Sequence, residues 1–191
     1  MRTRETAGLV LAAGAGTRLG RPKAGIVHNG QTLAARACAA LSDAGCASVY
    51  LVLGADLTVP APPGCHRVHN PDWPLGIGTS LRVGLEAAGS LDVVVLLADQ
   101  PWIGPEAVRR LITTEATLAT ALYTSGPGHP VLIGRDHIAG VAATAQGEVG
   151  AREYLRARAG EVARVWCGDV ADPWDLDTLA DLERLEGAEG W

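Results

Sequence analysis

The stretch LVLAAGAGTRLGRPKA, residues 9–24, begins as an apolar run and turns into glycines, two arginines and a lysine. An apolar run this short, ended by glycine, predicts a strand buried on both faces, as in a parallel sheet. Gly14 and Gly16 free the backbone of Cβ atoms, so the loop after the strand can approach a ligand closely. At the carboxyl end of a parallel strand, such a loop offers unpaired N–H groups to an anion. The stretch therefore predicts both an α/β sheet and a phosphate-holding loop on its edge.

Two common phosphate loops do not fit. A dinucleotide-binding turn needs G-x-G-x-x-G, but Leu19 stands where the third glycine belongs. That turn also needs an acidic residue about 20 positions later, and Asp56 comes too late. A Walker A loop needs G-K-[ST], whereas Gly20 is followed by Arg21-Pro22-Lys23 with no hydroxyl residue after the lysine.

Working outward, strand-like segments at 48–56, 66–70, 91–101, 117–125, 129–134 and 161–169 alternate with helix-like ones. The helical patterns fall at 32–45, 79–89, 104–116, 150–160 and 173–187, with Gly45 as a C-cap and Thr79 or Ser80 as an N-cap. Alternation of this kind predicts one doubly wound α/β domain spanning residues 1–191. The composition, 48% hydrophobic and 19% charged, is globular, and a net charge of -5 argues against nucleic acid or an anionic membrane as partner. No apolar run approaches the roughly 20 residues that span a bilayer. Cys38, Cys46, Cys65 and Cys167 lack metal-site spacing, and a cytoplasmic location is expected.

What remains of the loop is L-A-A-G-x-G-x-R-x-G-x-P-K, Leu11 to Lys23. Further segments follow in order: NPDWPLGIGTSLRVGL (70–85), LLADQPWIGPE (96–106), GHPVLIGRDH (128–137), GEVGAR (147–152) and DVADPWDL (169–176). Together they resemble the molybdenum-cofactor-type nucleotidyltransferases, whose corresponding segments read N-P-x-W-x-x-G-x-x-x-S-L, G-D-Q-P, G-H-P-V-L-F, G-D-x-G-A-R and D-I-D-T-P-E-D-L. The resemblance is nearest to the cytidylyltransferases of that family. It implies a Rossmann-like, three-layer α/β/α fold with a mostly parallel sheet, of the nucleotide-diphospho-sugar-transferase type. It also implies transfer of CMP from CTP to a phosphorylated, molybdopterin-type acceptor with release of pyrophosphate, and a client molybdoenzyme downstream.

The resemblance implies roles residue by residue. Leu11, Ala12, Ala13, Gly14, Ala15, Gly16 and Thr17 cradle the triphosphate, with Arg18 and Lys23 as its cations and Ser80 at the base. Asp99 holds Mg²⁺, and an apolar strand ending in a carboxylate agrees with a bound cation. Trp73, Gly128, His129 and Arg152 line the acceptor side. Ala13 and Pro22 match relatives that use CTP rather than GTP. A gapless match of 169–176 puts Ala171 at the second acidic position, so either Asp172 or Asp169 serves as the second metal ligand, or Asp99 is the one protein carboxylate on the metal. Two other readings stand beside this one: nucleotidyl transfer to a sugar or polyol phosphate, and a cofactor-binding chaperone that does not turn over.

Overall fold

A computed structural model describes residues 5–187. The apolar run of the quoted stretch forms β1 (Thr6–Ala12), in which Ala7, Leu9 and Val10 are wholly buried. A small hairpin follows, β2 (Val27–His28) and β3 (Gln31–Thr32). The remaining strands are β4 (Ser48–Leu53), β5 (Cys65–His69), β6 (Asp92–Leu97), β7 (Leu118–Tyr123), β8 (Gly126–Ile133) and β9 (Val162–Trp166). They form a seven-stranded sheet in the order β5-β4-β1-β6-β8-β7-β9. β1 lies parallel to both β4 and β6, and β8 alone runs against its neighbours.

Helices cover both faces. α1 (Leu33–Ala44) and α3 (Pro105–Ile112) pack on one side of the sheet. On the other lie α2 (Ile77–Ala88), α4 (Ile138–Thr144) and α5 (Arg152–Ala157). The three-layer α/β/α architecture and the mostly parallel sheet are thus as expected. α2 sits unusually close to β1 at Gly84, where a Cβ would come within 2.4 Å of Leu9 Cδ1. That approach brings the first turn of α2 to the same sheet edge as the loop after β1.

Gly45 ends α1 in the left-handed conformation, donating its N–H to Ser42 and Leu41 carbonyls, as expected. Three local expectations fail. α2 begins at Ile77 behind Gly76, so Thr79 and Ser80 lie within its first turns rather than capping it. α4 has no counterpart in the sequence reading, because Ile138–Thr144 contains a glycine and shows no polar stripe. The last helix, α6 (Leu179–Gly187), starts six residues later than expected. Residues 173–178 form instead an irregular strap, pinned where the Leu176 N–H meets the Asp99 carbonyl at 2.9 Å. The β2–β3 hairpin turns on Asn29-Gly30, both with positive φ (48° and 78°), the pairing a two-residue hairpin favours.

Candidate active site

Register places the site. Leu11 pairs with Leu97, and the Ala98 N–H continues the ladder to the Leu11 carbonyl at 3.1 Å. The ends of β1 and β6 are therefore neighbours, so the glycine loop and Asp99 share one edge. The loop is a tight coil in which the Leu19 and Gly20 N–H groups both bond the Gly16 carbonyl, at 3.0 and 2.9 Å. Gly16 has φ +64°, and a Cβ there would lie 1.9 Å from the Arg21 carbonyl oxygen. No other residue fits this coil.

Between the loop and α2 opens a cleft of about 380 Å³. Residues 11–18 line it, with Lys23, Trp73, Ser80 and Asp99, so one space gathers most of the residues singled out from the sequence. Gly128, His129, Arg152 and Asp172 do not line it. Gly76, Ile77 and Glu148, from the segments 70–85 and 147–152, do line it, and so does Asp177, which lies beyond the segment 169–176.

Lys23 is the centre of the charge arrangement. Its Nζ donates to Asp99 Oδ2 at 2.8 Å and to Asp177 Oδ1 at 2.5 Å. Arg18 Nη1 lies 2.8 Å from the other Asp177 oxygen. The Lys23 side chain is only 15% exposed and Arg18 is 73% exposed, so the lysine contacts carry more of the electrostatic energy. Burial lowers the Lys23 pKa, but Asp99 and Asp177 outweigh it and hold the ammonium above its ordinary value. A third carboxylate, Asp175, accepts from Gln100 Nε2 at 2.8 Å. Burial and the charges of Asp99 and Asp177 push the Asp175 pKa up, against the pull of Gln100 and Lys23.

The second carboxylate corrects the expectation of Asp172. Asp172 Oδ1 accepts from the Trp174 N–H at 3.1 Å and Oδ2 lies 3.7 Å from Arg184, half exposed and outside the cleft. Asp169 is held on both oxygens by Arg110, at 2.7 and 2.9 Å. The closing segment instead falls on DLDTLADL, residues 175–182. This register matches D-I-D-T-P-E-D-L at five positions (Asp175, Asp177, Thr178, Asp181, Leu182), against four for 169–176 (Asp169, Pro173, Asp175, Leu176). It needs no substitution of an acidic residue, so Ala171 ceases to be a departure.

Local structure explains why Asp177 reaches the cleft. Leu176 is fully buried with Leu19 and Leu185, which anchors the strap against the glycine loop. Thr178 and Asp181 then start α6 as a capping box: Asp181 Oδ2 accepts the Thr178 N–H at 2.7 Å, and Thr178 Oγ1 accepts the Asp181 N–H at 3.2 Å. Asp181 Oδ2 also accepts the Asp177 N–H at 3.0 Å, which fixes the residue whose carboxylate faces Lys23.

His129, expected on the acceptor side, is half-buried, and its carbonyl accepts the Tyr123 hydroxyl at 2.7 Å. Burial pushes the imidazole pKa down to about 4, with Arg152 adding to the fall and Asp99 opposing it. The ring is thus neutral at pH 7. Because its folded pKa lies below the unfolded value of 6.5, the unfolded chain takes up the proton first on acidification. Stability present above pH 6.5 is lost as pH falls toward 4. Urea unfolding at pH 7 and pH 4.5 should therefore show the wild type losing about 2–3 kcal/mol more than His129→Gln.

A glycine loop at a strand end, with a lysine and an arginine on it and carboxylates facing it, defines a nucleotide-handling α/β protein. The MobA-like NTP transferase domain matches residues 8–162, and the chain belongs to that family. The chain is 36% identical over 197 residues to the nicotine blue oxidoreductase of Paenarthrobacter nicotinovorans, covering 93% of this chain and 95% of that protein. The structure of Rv0371c from Mycobacterium tuberculosis H37Rv superposes with a TM-score of 0.82 at 27% identity, covering 97% of this chain and all of that one. A manganese complex of the same protein superposes at 0.81 with 26% identity, covering 96% and 99%. A nucleotidyl transferase from Methanothermobacter thermautotroptrophicus, 21% identical with a TM-score of 0.76 and 95% coverage of each chain, shares the fold. No helix among the described residues is long and apolar enough to cross a membrane.

Proposed function

We propose that the protein transfers CMP from CTP to a phosphorylated acceptor of the molybdopterin type and releases pyrophosphate. One observation carries this reading: Asp99 and Asp177 converge on a single cation, the Lys23 ammonium, directly beside the glycine loop. Two carboxylates aimed at one point suit a small hard cation that also takes phosphate oxygens. Asp99 and Asp177 would hold Mg²⁺ or Mn²⁺, which when bound neutralises charge on the phosphates. That a related structure is a manganese complex supports a divalent cation in this reading.

The chain's own groups supply the rest. N–H groups of the 13–17 coil bind the triphosphate, and Lys23 and Arg18 offset charge that builds on the departing pyrophosphate. A phosphate nucleophile is already anionic at neutral pH, so the site needs to orient it rather than deprotonate it. His129, neutral and next to Arg152 and Asp99 in charge range, fits an acceptor-orienting role. Buried Ala13, which lines the cleft, supports a pyrimidine over a purine because its methyl narrows the space.

The 36% identity to nicotine blue oxidoreductase along nearly the whole chain favours a second reading, a redox reaction on a substrate related to nicotine blue. One matrix separates the two. CTP, GTP, UTP and ATP are crossed with molybdopterin cofactor and sugar phosphates and read by pyrophosphate release with Mg²⁺ present. A parallel arm follows NADH and NADPH consumption with nicotine blue. Pyrophosphate from CTP with molybdopterin alone is the expected result; dinucleotide consumption without pyrophosphate release would establish the oxidoreductase instead.

A further inference from the structure

We propose that buried Asn70 fixes the Ser80 hydroxyl as an outward hydrogen-bond donor, so that the cleft selects a nucleobase by an acceptor atom on its edge. The inference rests on the nucleotide reading of the cleft and deepens it. Asn70 follows β5 and is fully buried, with its N–H on the Leu53 carbonyl at 2.9 Å. Its side-chain Oδ1 accepts the Asp72 N–H at 3.0 Å, which sets the orientation of the amide. Both remaining amide protons are then committed: Nδ2 donates to Thr79 Oγ1 and to Ser80 Oγ, each at 2.9 Å.

The two hydroxyls differ in what they do with their own protons. Thr79 Oγ1 has carbonyl acceptors at Gly76 (2.9 Å) and Asp72 (3.0 Å). Ser80 Oγ has a donor on it and, among the described residues, no acceptor for its proton. Ser80 is 3% exposed and lines the cleft opposite the glycine loop, so the proton can be satisfied only from the cleft. A carbonyl oxygen or an unprotonated ring nitrogen satisfies it, and a base that places an N–H there leaves two donors facing each other. Asn70 is thus a positioning residue: it acts through Ser80 and does not touch the nucleotide.

The test is calorimetric binding of CTP, UTP, GTP and ATP, with inorganic tripolyphosphate as a probe of the loop alone. Ser80→Ala should weaken CTP about tenfold and narrow its advantage over the other nucleotides, with tripolyphosphate unchanged. Asn70→Asp should do the same, because the new carboxylate takes the Ser80 proton and turns a lone pair to the cleft. Ser80→Ala added to Asn70→Asp should cost nothing further. Asn70→Ser, which keeps a polar group of smaller size, serves if the aspartate variant does not fold, and the same loss of discrimination is expected. Equal losses for all four nucleotides and tripolyphosphate, or additive losses at 70 and 80, would overturn the proposal. Failure of both tripolyphosphate and CTP to bind the wild type would overturn the nucleotide reading itself, a result distinct from either.

Discussion

Asp177→Asn is expected to lower pyrophosphate release by about 100-fold or more, whereas Asp172→Asn leaves it within twofold. The asparagine keeps the size of the side chain and its place in the strap, since the capping box of Thr178 and Asp181 and the buried Leu176 are untouched. What it removes is one of the two negative charges that meet at Lys23 Nζ. A site that works by positioning and charge stabilisation has no spare group to replace that carboxylate, because Asp175 is engaged by Gln100 and does not contact Lys23. Asp172 touches only the Trp174 N–H and Arg184, so its loss is a surface change. Steady-state rates with CTP and acceptor at saturating Mg²⁺, alongside thermal unfolding of both variants, check the pair. A large loss at 172 and none at 177 would return the closing segment to the register 169–176.

That contrast shows where the sequence was readable. The glycine loop, Lys23 and Asp99 are set by chain segments that lead straight out of β1 and β6, so a strand pattern and its terminal residues suffice to find them. Their pairing across the cleft follows from parallel neighbours in the sheet. Asp177 could not be found that way. It comes from a strap with no strand or helix periodicity, placed by one backbone bond to Asp99 and one leucine under the loop. Two acidic segments six residues apart competed for the same pattern, and an Asp-Pro pair drew the match to the wrong one. The Thr178-x-x-Asp181 cap was the available signal, since it marks a helix start just after 177. Asn70 was obscured differently: the sequence places it at the end of a strand-like segment and the head of 70–85, and only the folded contacts reveal both of its amide protons spent on Thr79 and Ser80.

Replacing Lys23 with methionine should change the protein in three coupled ways. Nucleotide transfer should fall by about 100-fold or more, since the least exposed cation of the loop is gone and Arg18 lies largely in solvent. Stability at pH 7 should fall by about 2 kcal/mol, a value discounted from that of a fully buried pair because Asp99 and Asp177 are about a quarter exposed. This loss should shrink on acidification. Lys23 is one of the groups that hold the Asp175 pKa down, so its removal lets that pKa rise further. A carboxyl whose folded pKa exceeds the unfolded value of 3.8 favours the fold at low pH and loses that advantage as pH rises. The variant should therefore regain stability relative to the wild type between pH 7 and pH 4. Finally, the ammonium occupies the point at which the two carboxylates meet, so it competes there with any divalent ion. Without it, 5 mM Mn²⁺ should raise Tm more in Lys23→Met than in the wild type, and by less in Lys23→Met/Asp177→Asn. If Mn²⁺ raises all three melting temperatures equally, the two carboxylates do not form the cation site.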